Sequence, residues 1–156
     1  MKIIKRISLI AVLFFLTISL TGCKEKNVAG SLEDIMTKVY QDIKEEERPM
    51  GLANTVVTDE NIEYYLGSKI EYKEALASES MTGSIAHSVV LIRTKENADV
   101  EKIKETIKEN VNPRKWICVG VEKEDVIIKS KGDLIILIIV EDENNRLSLE
   151  KGFNNL

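Results

Sequence analysis

Apolar residues recur along this chain in three rhythms, and each predicts a different kind of element. Residues 7–20, ISLIAVLFFLTISL, are a mainly apolar run without a charge. Further on, Leu32, Ile35, Met36, Val39 and Ile43 fall at i, i+3, i+4, i+7 and i+11. That is one face of an amphipathic helix over residues 32–47, opened by Ser31 as a capping residue and stopped by Pro49. Ile62, Tyr65 and Leu66 give a shorter stripe, predicting a helix over 59–66, capped by Thr58 or Asp59 and ended by Gly67. Residues 70–78 alternate weakly and read as strand rather than helix, followed by a turn at 79–84. Residues 85–94, IAHSVVLIRT, are rich in β-branched side chains and predict a strand. Val100, Ile103, Ile107 and Val111 return to the helical period, with Glu and Lys on the opposite face, and Pro113 forces the exit.

The C-terminal third predicts three more strands and a helix. WICVGV at 116–121 reads as a strand. Residues 126–130 and 133–140 flank Lys131-Gly132, which reads as a two-residue hairpin turn. The run LIILIIV at 134–140 does not alternate, so it needs cover on both faces, or one face covered and the other shielded by a helix or membrane. A last helix from about residue 142 would dock through Leu149, Phe153 and Leu156, with Gly152 weakening it. Residues 48–58 receive no element. The expected fold is α+β: a single domain with a mainly antiparallel sheet of about four or five strands and helices packed on it.

The first apolar run belongs to a different part of the protein. At 14 residues it is short for a membrane span, which needs ~20, and it follows the positive segment MKIIKR. It fits the apolar region of a cleaved signal peptide. Leu20-Thr21-Gly22-Cys23 then matches the bacterial lipobox: an aliphatic residue, two small residues and the cysteine. Small side chains let the extended backbone enter the signal peptidase, and the Cys23 thiol takes the diacylglycerol. The expected organisation is a lipoprotein signal peptide at 1–22, a lipidated N-terminus and tether at 23–30, and the α+β domain at 31–156. Cys23 is therefore the lipidation site, and the localisation is the extracytoplasmic face of the cell membrane. With Cys23 lipidated, Cys118 has no disulfide partner.

Charge narrows the partners. The formal net charge is −4, and removing residues 1–22 takes away Lys2, Lys5 and Arg6 and no acid, leaving about −7. An acidic domain repels phosphate backbones, so no nucleic acid is expected as partner. It is also repelled by anionic headgroups, so the membrane is held through the lipid on Cys23 and not through a basic surface.

The stretches RPMGLANTVVTDENIEYYLG and EALASESMTGSIAHSVVLIRTKENADVEKIKETIKENVNPRKWICV resemble a family of small Gram-positive, clostridial-type lipoproteins catalogued as a domain of unknown function. The resemblance spans roughly residues 33–153. Its pieces are Pro49 with Met50, the segment ending at Gly67, the helix start at Ala98, and RKWICV at 114–119. It implies a lipid-anchored extracytoplasmic domain and supplies no catalytic residue. Related sequences often carry a proline where this chain has Ser80, a difference that touches a turn.

Candidate chemistry is sparse. His87 is the single histidine; as a general base it would need Ser84, Ser88 or Cys118 as nucleophile. Ser88 is adjacent in a strand and so faces the other side of the sheet. Cys118 between Ile117 and Val119 reads as a buried small hydrophobe. One histidine and one free cysteine make no zinc set, the Glu/Lys helix makes no calcium loop, and the glycines make no phosphate loop, so no metal or cofactor is expected. The acidic EDENN at 141–145 suits a helix N-terminus. Trp116, Tyr64, Tyr65 and Met50 either line a groove or pack at the rim of the core. The expected function is a non-enzymatic binding or accessory module at the cell envelope, with an envelope protein or small ligand as partner. The alternatives are an envelope-acting hydrolase using His87, and a small solute-binding component of a transporter.

Overall fold

The computed structural model describes residues 26–156. The expected signal peptide and Cys23 lie outside the described residues. Ser31 caps α1 (Leu32–Val39), its hydroxyl accepting from the Asp34 amide. There follow β1 (Leu52–Val56), α2 (Ile62–Leu66), β2 (Glu74–Ser80), β3 (His87–Arg93), α3 (Val100–Asn110), β4 (Ile127–Lys131), β5 (Leu134–Val140) and α4 (Glu143–Asn154). Single 3₁₀ turns sit at Glu45–Glu47 and Lys123–Asp125. The five strands form one antiparallel sheet in the order β1-β2-β3-β5-β4. This is the expected α+β single domain.

The sheet is buried on both faces. Every residue of β3 and β5 is buried. On one face Leu76, Val89, Leu91, Leu134, Ile136, Ile138 and Val140 pack under α1 and α4. On the other, Ala75, Ala77, Val90, Ile92, Ile135, Leu137 and Ile139 pack under α2 and α3. The non-alternating run at 134–140 thus finds cover on both sides, as its pattern requires. Each fully buried Ile or Leu there contributes roughly 1.5–3 kcal/mol.

Several elements differ from the sequence reading. The first helix ends at Val39 and not near residue 47, because Arg48 folds back under its end. Arg48 donates to the Tyr40 and Ile43 carbonyls, groups that a continuing helix would bond to its own amides. α2 starts at Ile62, with Asn61 accepting from the Thr58 amide, so neither Thr58 nor Asp59 caps it. β2 runs on through Ser80, where a turn was expected, because Gly51 and Met81 continue the pairing with β1. β1 itself carries no strand signal of its own; pairing with β2 makes it a strand. The hairpin loop is Gly132-Asp133, with Gly132 at φ +58°, since Lys131 pairs with Leu134. Residues 116–121 are not a strand. Pro113 and Val121 close this segment by a 2.9 Å backbone bond, and it pairs with none of the five strands. Only Val121 is buried there; Ile117 is 74% exposed.

Gly152 proves to be a packing requirement. A Cβ at that position would lie 2.3 Å from the Val39 carbonyl oxygen, so α4 approaches the end of α1 backbone to backbone. Phe153 beside it is 1% exposed and fills the same interface. Gly152→Ala raises helix propensity yet forces the two helices apart. A loss of roughly 1–3 kcal/mol in urea unfolding is expected, whereas an unchanged or higher midpoint would show that the helices yield at no cost.

Candidate functional site

Polar residues enter the buried sheet at its two ends only. At one end are Ser78, Glu79, Ser80, His87 and Ser88; at the other are Arg93 and Thr94. Register brings Glu79 opposite Ser88, and alternation sends Ser78 and His87 to one face, Glu79 and Ser88 to the other. His87 and Ser88 are thus on opposite sides, as expected.

On the α1 face, His87 is 2% exposed and its Nε2 lies 2.8 Å from Tyr40 Oη. Burial pushes the Tyr40 phenol well above its ordinary range, so it stays protonated and donates to Nε2, which places the ring proton of neutral His87 on Nδ1. Ser78 exerts a smaller opposing pull on the same phenol. Burial lowers His87 to about 4, against a smaller opposing pull from Asp142 and Glu79.

On the α2 face, Lys115 reaches in from the segment after α3. Its Nζ is 2.6 Å from Glu79 Oε2 and 3.3 Å from Ser88 Oγ. The ammonium sits 4.2 Å from the Tyr64 ring centroid, 4.8 Å from Tyr65 and 5.1 Å from Trp116. Tyr64 and Tyr65 meet edge to face at 5.0 Å, and the Tyr64 hydroxyl donates to Glu79 Oε1 at 2.6 Å. Both Glu79 oxygens are therefore engaged. Desolvation pulls Lys115 below its ordinary value, opposed by the bond to Glu79. The Lys115 side chain is 5% exposed and Ser88 is fully buried. Three aromatic faces and a carboxylate make a cage for an ammonium, and the chain's own lysine fills it.

The sequence aromatics Tyr64, Tyr65 and Trp116 do come together; Met50 does not join them and is 77% exposed on a turn. Lys115, the residue they surround, stood out by no local signal, being one of many lysines. Cys118 is exposed with φ +63°, not buried as expected, because the segment that carries it is a loop and not a strand. Ser84 lies in the loop between β2 and β3. Among the described residues no cluster of three or more His, Cys, Asp or Glu is placed to hold a metal.

At the opposite end, Arg93 is a second polar centre. Its guanidinium pairs with Glu74 at 2.8 Å and with Asp133 at 3.3 Å, and donates to the Val28 and Gly30 carbonyls at 2.8 and 2.9 Å. The segment just before the domain is thereby clamped to the ends of β2, β3 and β5. Beside the clamp opens a polar cleft of about 640 Å³, lined by Lys73, Thr94, Glu96, Asn97, Ser130 and Asp133. Comparison with protein-family models, curated proteins and solved structures returns no match.

Two measurements test these centres. Lys115→Met strands Glu79 without its cation, and a loss of roughly 3–5 kcal/mol is expected in chemical denaturation. Adding Glu79→Gln should recover much of it, and strict additivity of the two changes would contradict the coupling. His87 titrates near 6.5 when unfolded and near 4 when folded, so the unfolded chain binds more protons between those values. Stability from this source is complete above pH 6.5 and falls by about 3 kcal/mol as pH drops to 4. Unfolding curves of His87→Gln should lack that slope between pH 6.5 and 4.

Proposed function

We propose that this protein is a lipid-anchored extracytoplasmic lipoprotein acting as a non-enzymatic binding or accessory module at the cell envelope. The observation that carries the reading is the juxtaposition of the lipobox Leu20-Thr21-Gly22-Cys23 with a buried arginine gripping the chain directly after it. Four residues separate Cys23 from Val28, a span of five Cα-to-Cα steps and a reach of at most about 18 Å when fully extended. A diacylglycerol on Cys23 would therefore hold the folded domain against the bilayer, with its N-terminal end inward. Among the described residues no helix is long and apolar enough to cross a membrane. In this reading the membrane contact comes from the acyl chains, each buried CH₂ adding about 0.8 kcal/mol.

The resemblance to clostridial-type small lipoproteins belongs to the same reading. His87 as a hydrolase base is disfavoured: its Nε2 is occupied by Tyr40, and its face lies under α1 and α4. The polar cleft beside the Arg93 clamp is a concavity of a size suited to a small polar ligand.

The test is the mass of the native protein from membranes. A chain beginning at Cys23 and carrying diacylglycerol is expected, and Cys23→Ser should leave the chain uncleaved and unlipidated. An unmodified Cys23 in a secreted or full-length wild-type chain would falsify the proposal.

A further inference from the structure

The two edges of the sheet are treated differently. β4 carries Lys129 and Lys131, paired with Glu150 and with the carbonyls of Asn154 and Leu156 at the end of α4. Inward or edge lysines of this kind discourage further strand pairing. β1 has no such guard. Residues 49–58, PMGLANTVVT, carry no charge. Among the described residues β1 pairs with β2 alone. Along it and beside it, Met50, Val56 and Met81 are 77%, 62% and 75% exposed.

The hydrogen-bond register says what would fit there. The Met81 amide bonds to the Gly51 carbonyl and the Val57 amide to the Ala75 carbonyl. Pairing therefore uses Gly51, Ala53, Thr55 and Val57, and the N–H and C=O groups of Leu52, Asn54 and Val56 point to the open edge. Of these, the Val56 carbonyl already accepts from Asn61 Nδ2 at 3.3 Å and keeps a second lone pair. Only another extended strand presents donors and acceptors at that spacing.

We infer that the β1 edge joins a second copy of this chain, β1 to β1 antiparallel about a two-fold axis at Asn54, making one continuous sheet. The stretch is self-complementary about that point. Leu52 falls opposite the partner's Val56, Asn54 opposite its equivalent, and each of these pairs exchanges two backbone bonds. On the other face Ala53 meets the partner's Thr55, two small side chains. No like charges face each other, which matters for two copies that each carry net negative charge. The partner's residues 56–58 fall beside the exposed Met50 and cover it. The inference does not rest on the lipid anchor.

The test uses the full-length chain in detergent micelles, with Cys23→Ser and Cys118→Ser so that no native thiol remains. Asn54→Cys is added to it, or Lys129→Cys on the guarded edge. Across the axis the two residues at position 54 have Cα atoms about 5.5 Å apart, inside the disulfide range of about 4.4–6.8 Å. On a non-reducing denaturing gel, mild oxidation should convert most of the Asn54→Cys chain to a reducible species of twice the mass, while Lys129→Cys and the parent run as single, unlinked chains. Val56→Lys, at an exposed position, should retain the circular dichroism spectrum and shift sedimentation of the otherwise wild-type full-length chain from dimer to monomer. The inference is overturned if Asn54→Cys stays monomeric, if it links no more than Lys129→Cys, or if it links to a protein of another mass. The last result would assign the edge to a foreign strand.

Discussion

Burial of β5 on both faces is the constraint on which the other elements depend. Seven consecutive apolar residues, Leu134 to Val140, are fully buried, and no arrangement with a solvated face would accommodate them. A strand of this kind belongs in the middle of a sheet, with β3 on one side and β4 on the other. Once it is there, both faces demand helices. The amphipathic stripes of α1 and α4 serve one, and those of α2 and α3 the other. Gly152 follows from the same demand, since two helices sharing one face of a narrow sheet must approach closely.

Polar chemistry is then confined to the sheet's ends. A buried charge is costly unless paired and bonded, so each one here is surrounded. Arg93 has two carboxylates and two carbonyls; Lys115 has a carboxylate, a hydroxyl and three aromatic faces. His87 instead stays neutral against Tyr40. The two ends differ in use. The Arg93 end receives the chain from the N-terminal side and carries the polar cleft, whereas the Lys115 end is closed on itself. A fixed entry point is what a short lipid tether would need to hold the domain in a defined relation to a surface.

Much of this is legible in the residues and some is not. The stripe at Leu32, Ile35, Met36 and Val39 and the one ending at Ile107 and Val111 predict helices that form, because their signals are repeated every turn. The docking of Leu149 and Phe153 is legible for the same reason. WICVGV looked like a strand on β-branched and aromatic content alone, but a strand needs a neighbour and this segment closes back on Pro113 instead. That error also misplaced Cys118. The three aromatics of the cage could be picked out; that they surround Lys115 could not, since nothing local marks one lysine among many.

Sequence alone determined which face of each helix is buried, the need for a doubly covered strand, and the spacing of Leu20-Thr21-Gly22-Cys23. Those are properties of neighbouring residues: helical period, continuous apolarity, and a short motif read along an extended chain. Tertiary structure decided that Leu52–Val56 is a strand, that α1 stops at Val39, that Gly152 is indispensable, and that Lys115 and Arg93 are the polar centres. Each of these depends on a partner far along the chain: β2 for β1, Arg48 for the end of α1, Val39 for Gly152, Glu79 for Lys115, Val28 for Arg93. Sequence distance hides such partners, and only folding brings them within hydrogen-bond reach.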